Sequence, residues 1–250
     1  MATTSITIEE TPLVRQLLER ADDALVLGHR LSEWTGHAPV LEEELALANI
    51  ALDLIGQARA LYEYAGTLTG RTEDQLAYLR DAPAWRNCLI VELPNWDFAF
   101  SIARLLLVSA FVDPFWRACI ASPDATIAAV AAKAEKETAY HLRHAGEWLV
   151  RLGDGTEESH RRAQAAVDSL WPYTGELFEA PDSESVFADP ATLHTTWSAT
   201  VDAILARATL VRPSDGWMQA GGRQGRHTEH LGYLLVEMQF LQRAYPGATW

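Results

Sequence analysis

Glu137 and His141 are the residue types and spacing in this 250-residue chain most suited to chemistry. They lie one helical turn apart on a stripe that reads Ile127, Val130, Ala134, Glu137, His141, Ala145, Trp148 and Leu152. A carboxylate and an imidazole on an apolar helix face cost free energy unless they are paired or ligated. Carboxylate oxygen and imidazole nitrogen together suit a metal centre. In a four-helix bundle, such a centre takes one Glu from each of two helices and a Glu-x-x-His from each of the other two.

The stripe belongs to a long helix expected over Ser122–Gly153, with Ser122 as N-cap, Pro123 at the first helical position, Asp124 at the positive end and Gly153 as the stop. Three more long helices follow from apolar spacing. The first runs from Thr11 to about Trp34, and the Gly36–Pro39 turn reverses the chain into a second from Val40 to about Tyr64. The apolar stripe of the second reads Leu41, Leu45, Ala48, Leu52, Ile55 and Tyr62. Another spans Asn95 to Ile120, with Asn95 as N-cap and Pro114 expected to bend or end it. Shorter helical pieces are expected at Glu73–Arg80, Glu157–Tyr173, Pro190–Val211 and Thr228–Arg243, with connectors at 180–190 and 212–226. Leu89–Leu93 is ambiguous. The fold class is therefore all-α: a ferritin-like four-helix bundle with additional C-terminal helices. Residues 1–9 read as a flexible tail and 10–250 as a single domain.

The ligand inventory across these helices is incomplete. Glu137 and His141 are spaced i,i+4 rather than i,i+3, and Ile102–Val112 contains no acidic residue. The second helix offers Asn49 and Asp53, and the first Asp22 or Asp23. Lys133 or Lys136 offers another answer, an ammonium reaching into the bundle where a metal would sit. A metal site on Asp53, Glu137 and His141 and a metal-free polar centre both stay open at this point.

Other motifs are weaker. Glu157…His160 is a true Glu-x-x-His, but it sits at a helix start and reads as a surface coincidence. His227…His230 lacks zinc spacing. The basic loop Gly221–Arg226 enters a helix N-terminus and suits an anion, a cap or a neighbouring chain. No nucleophile elbow, phosphate loop or dinucleotide fingerprint occurs. Trp171, Trp197 and Trp250 are candidate aromatic anchors for a partner.

Composition sets the surroundings. A net charge of −14 opposes binding to nucleic acid or anionic membrane. Cys88 and Cys119 sit in apolar surroundings and read as buried thiols in a reducing compartment. No signal peptide is apparent, and no apolar run approaches membrane length. The expected location is the cytoplasm.

Four stretches, Leu27–Pro39, Leu45–Arg59, Lys133–Leu142 and His227–Arg243, resemble the structural-subunit family of the multicomponent phenylacetyl-CoA epoxidases, within the ferritin-like superfamily. The resemblance implies a hetero-oligomer in which this chain carries no cofactor and no catalytic residue. Its partners would be a paralogous A-type oxygenase subunit holding the di-iron centre, a small accessory subunit, and a reductase subunit. The reductase passes electrons from NADPH through FAD and an iron–sulfur cluster. The reaction implied is epoxidation of the aromatic ring of phenylacetyl-CoA with dioxygen. Asp23, Asn49, Asp53, Glu137 and His141 would then be the remnant of a metal site.

Overall fold

A computed structural model describes residues 5–181 and 185–248. Among them the chain is all-helical, a ferritin-like bundle with further helices packed against it. The bundle consists of α1 (Pro12–Ser32), α2 (Leu41–Thr69), α5 (Phe98–Cys119) and α6 (Ala125–Gly153), with two short helices, α3 (Glu73–Tyr78) and α4 (Leu89–Glu92), in the crossover. Beyond the bundle come α7 (Glu157–Leu170), α8 (His194–Arg207) and α9 (Glu229–Ala244). Residues 5–9, expected as a loose tail, lie against the body. There the Ile6 amide donates to the Leu79 carbonyl at 2.9 Å, and Ile6 and Ile8 pack on the core.

α1 and α2 lie along each other, as do α5 and α6, and the two pairs meet at a shorter α2–α6 seam. Caps set the ends. Thr11 accepts from the Val14 amide ahead of Pro12, and Gly70, at φ 67°, closes α2 in the left-handed region that favours glycine. Two expected caps are displaced. Asp97 caps α5, because the Asn95 amide turns instead to the Arg30 carbonyl and Glu33. Asp124 caps α6 by accepting from Thr126 and Ile127, while the Ser122 hydroxyl donates to the Val186 carbonyl.

Pro114 does not end α5, which continues to Cys119. The backbone bond that a proline forfeits is outweighed by what the last turn buries: Phe115, Trp116 and Cys119 are all in the core. α5 also corrects the expectation about membrane-length segments. It is long and apolar enough to span one, with mean hydropathy 1.6, yet most of it is buried within the protein.

α2 presents two apolar faces. Leu47, Ile50, Leu54 and Leu61 line the core, whereas Leu41, Leu45 and Leu52 of the expected stripe are 67%, 56% and 65% exposed. The leucines of the anticipated stripe thus face solvent while its C-terminal members Ile55 and Tyr62 pack in the core, because both sides of this helix carry helical-period leucines. The α6 stripe is rotated less. Ile127, Ala131, Ala134, Thr138, His141, Ala145 and Leu149 are buried, leaving Glu137 and Trp148 at its edge.

The C-terminal part of the chain is tied into the bundle by buried charge. Arg223, 4% exposed, pairs with Asp23 on α1 at 2.7 Å and donates to the Glu19 and Arg86 carbonyls. The loop reaches in so closely that a Cβ on Gly222 would stand 2.2 Å from the Asn87 carbonyl oxygen. The basic loop therefore closes on its own first helix. His227 bonds to Glu92 and to the Trp85 carbonyl, and His160 contacts the Gly153 carbonyl at 2.7 Å. Trp171 and Trp197 are core residues with ring centroids 5.5 Å apart, not surface anchors, and Trp250 lies outside the described residues. The exposed tryptophans among the described residues are Trp96 and Trp217. Cys88 and Cys119 are buried free thiols, both pushed up by burial, Cys119 to about 11.

Candidate functional site

The α2–α6 seam brings together three of the five candidate residues. His141, 1% exposed at its side chain, donates its Nε2–H to the half-buried Asp53 carboxylate at 3.0 Å. One turn away the Gln57 amide donates to Glu137 at 2.9 Å. A second imidazole, His144, lies 3.1 Å from Glu43, although the two are not aligned for a hydrogen bond. The remaining two candidates do not touch these three. Asn49 is exposed and bonds back to the Leu45 carbonyl of its own helix. Asp23 lines the cavity on the other side of Gln57 and pairs there with Arg223 and Arg20, and the neighbouring Asp22 is buried against Arg80.

The lysines do not fill the centre. Lys133 is 72% exposed at its side chain and reaches Glu137 at 3.5 Å from the rim, and Lys136 is exposed. A long flexible ammonium keeps its hydration by staying outside. The cation beside Gln57 is Arg20 of α1, only 9% exposed at its side chain. Its guanidinium carbon lies 5.3 Å from the Phe115 ring centroid and 5.9 Å from that of Phe111. Arg20, Asp23, Leu54, Gln57, Phe111 and Phe115 line a cavity of about 30 Å³, room for a water or two. Burial, and then Arg223, hold the Arg20 guanidinium below its ordinary value. Burial pushes the Asp23 carboxyl up, but Arg223 and Arg20 more than offset it, so that it titrates below the usual range.

A di-iron centre asks for six donors around one cavity. Here α5 offers Phe111 and Phe115 towards the cavity, α1 a guanidinium and the single carboxylate of Asp23, and α2 an amide, and among the described residues no three His, Cys, Asp or Glu side chains converge. These residues do not fit the metal pair that the fold class implies. Arg20, Gln57 and the Glu43–His144 contact escape detection in sequence because their partners lie on other helices. The visible signal was Arg20 itself, a cation flanking the Leu17, Ala21 and Ala24 stripe.

The seam also carries two imidazoles that can take up protons. Burial holds both His141 and His144 below the ordinary imidazole value of about 6.5, with Asp53 and Glu43 opposing that shift. Below that value the unfolded chain takes up protons that the folded seam resists, so stability is lost as pH falls. The melting temperature should drop on acidification from pH 7 towards pH 5, as followed by circular dichroism. The His141→Asn, His144→Asn pair should flatten that part of the profile, and an unchanged slope would refute the assignment.

The model of the family described as phenylacetic acid catabolic protein matches residues 1–250. The chain is 46% identical over 245 residues to the C subunit of the 1,2-phenylacetyl-CoA epoxidase of Escherichia coli (strain K12), a match covering 95% of this chain and 99% of that protein. With a helical bundle throughout and a family match over its whole length, this chain belongs to the phenylacetic acid catabolic protein family.

Proposed function

We propose that this chain is a non-catalytic structural subunit of a phenylacetyl-CoA epoxidase complex, pairing with and stabilising a di-iron catalytic subunit in aerobic phenylacetate degradation in the cytoplasm. The observation that carries the reading is the make-up of the bundle centre. Arg20, Gln57, Phe111 and Phe115 stand where a di-iron centre needs carboxylates, leaving Glu137 bonded to an amide and His141 to Asp53 alone. The chain holds no cofactor of its own on this reading. Di-iron belongs to the catalytic A-type subunit, and FAD and an iron–sulfur cluster to the reductase. A small accessory subunit makes up the rest of the assembly.

Pairing is supported by the unburied side of α2. Leu41, Leu45 and Leu52 form a solvent-facing apolar row beside the half-buried Asp53, a surface a helical partner would cover. The test is to express the chain with iron supplied, alone and with a catalytic chain carrying two intact Glu-x-x-His motifs. The expected results are well under one iron per chain when isolated, no oxygenase activity alone, and stable co-elution with the catalytic chain. About two tightly bound irons per isolated chain would overturn the reading and favour a self-sufficient di-iron oxidase built on Asp53, Glu137 and His141.

A further inference from the structure

The bundle centre holds a fixed cation in place of ligands. We propose that Arg20 is a built-in counter-cation, whose guanidinium supplies the positive charge at the bundle centre and keeps divalent metal ions out. The inference rests on the reading of this chain as the metal-free subunit and names the residue that enforces it.

Three observations support it. First, Arg20 is nine-tenths buried, yet its nearest carboxylate oxygens, on Asp23 and Glu19, lie at 3.6 and 3.8 Å. The pairing is loose, and the guanidinium is seated mainly on the faces of Phe115 and Phe111, an arrangement that stabilises a cation in a dry site. Secondly, Gln57 lines the same cavity and is the partner of Glu137. A neutral amide there gives Glu137 a hydrogen bond without a second carboxylate that would invite a metal. Thirdly, donors remain within two turns of that point, Glu137 on α6 and the Asp53–His141 pair across the seam. The cavity thus sets the Arg20 guanidinium beside one carboxylate, Asp23, and an amide, Gln57, where a metal would need further carboxylates. A divalent ion entering beside a fixed positive charge at low effective dielectric loses affinity by at least about a hundredfold.

The test compares the wild-type chain with Gln57→Glu, Arg20→Met and the pair, using Co(II) as probe. Visible absorption, equilibrium dialysis and the melting temperature with and without metal are the readouts. The expected result is no Co(II) bound by wild type or by Gln57→Glu, in which Arg20 neutralises the new carboxylate. The pair should bind Co(II) about a hundredfold more tightly than Gln57→Glu alone and gain thermal stability with metal. Equal affinity of Gln57→Glu and the pair, or a folded pair that binds no Co(II), would overturn the proposal. Should methionine at position 20 prevent folding, Arg20→Gln with Gln57→Glu gives the same comparison with a polar group retained. Failure of the broader reading looks different, because the wild-type chain itself would then bind metal stoichiometrically.

Discussion

Replacing Asp22 by asparagine should lower the stability of the fold by about 3–5 kcal/mol, because it leaves a buried arginine without its counter-charge. For a chain of this size that corresponds to a fall of roughly 6–20 °C in melting temperature, at about 2–4 °C per kcal/mol. Asp22 and Arg80 are both fully buried at their side chains. The Asp22 carboxylate accepts two bonds from the Arg80 guanidinium, one from the Tyr62 hydroxyl and one from the Arg86 amide at 2.7 Å. Arg80 is held further by the Leu76 and Ala84 carbonyls and lies 4.6 Å from the Trp85 ring centroid. Every polar atom of this knot has a partner, so losing one charge strands the others. Tyr62→Phe removes two bonds, the one its hydroxyl donates to Asp22 and the one it accepts from Arg80, and should cost less, about 2 kcal/mol. The double change Asp22→Leu, Arg80→Met should be less harmful than Asp22→Asn, since it removes both charges together. Urea unfolding of the three variants settles the order, and a double variant as unstable as Asp22→Asn would contradict the account.

A second large effect is expected on binding alone. Introducing glutamate at Leu45 and Leu52 should weaken the complex with the catalytic subunit by at least about a hundredfold, given that central apolar contacts are each worth about 2 kcal/mol or more. Both side chains are mostly exposed, so the melting temperature of the isolated chain should move little. The control is α9, which carries its own exposed row of Tyr233, Val236 and Phe240. Val236→Glu with Phe240→Glu should leave the affinity unchanged. Isothermal titration against the catalytic subunit distinguishes the faces. If the α9 pair abolishes binding and the α2 pair does not, α2 is not the interface.

The bundle was legible in the sequence because its helices are long and their termini carry ordinary stop signals. α1, α2 and α6 emerge within a few residues of their expected limits. The facing of α2 was not legible, since two leucine rows at helical period give no internal reason to choose between them. The displaced caps have a related cause. Asn95 and Ser122 are competent caps, but tertiary partners at Arg30 and Val186 claim their side chains, and Asp97 and Asp124 take the role. At the candidate site, the Asp53–His141 contact joins two residues already singled out by type and stripe. Arg20 and Gln57 were missed because their meaning depends on what stands opposite them, and Lys133 misled because i,i+4 spacing to Glu137 is satisfied equally well outside the bundle.

The Asp23–Arg223 pair has a consequence for the order in which the molecule is made. Its two residues are separated by 200 positions, and the same arginine also holds the Glu19 and Arg86 carbonyls. During synthesis α1 is translated before the loop that supplies Arg223, so until that loop docks Asp23 has only Arg20 beside it, at 3.6 Å. A chain stopped before residue 223 should accordingly be more sensitive to protease along α1 than one that carries the loop.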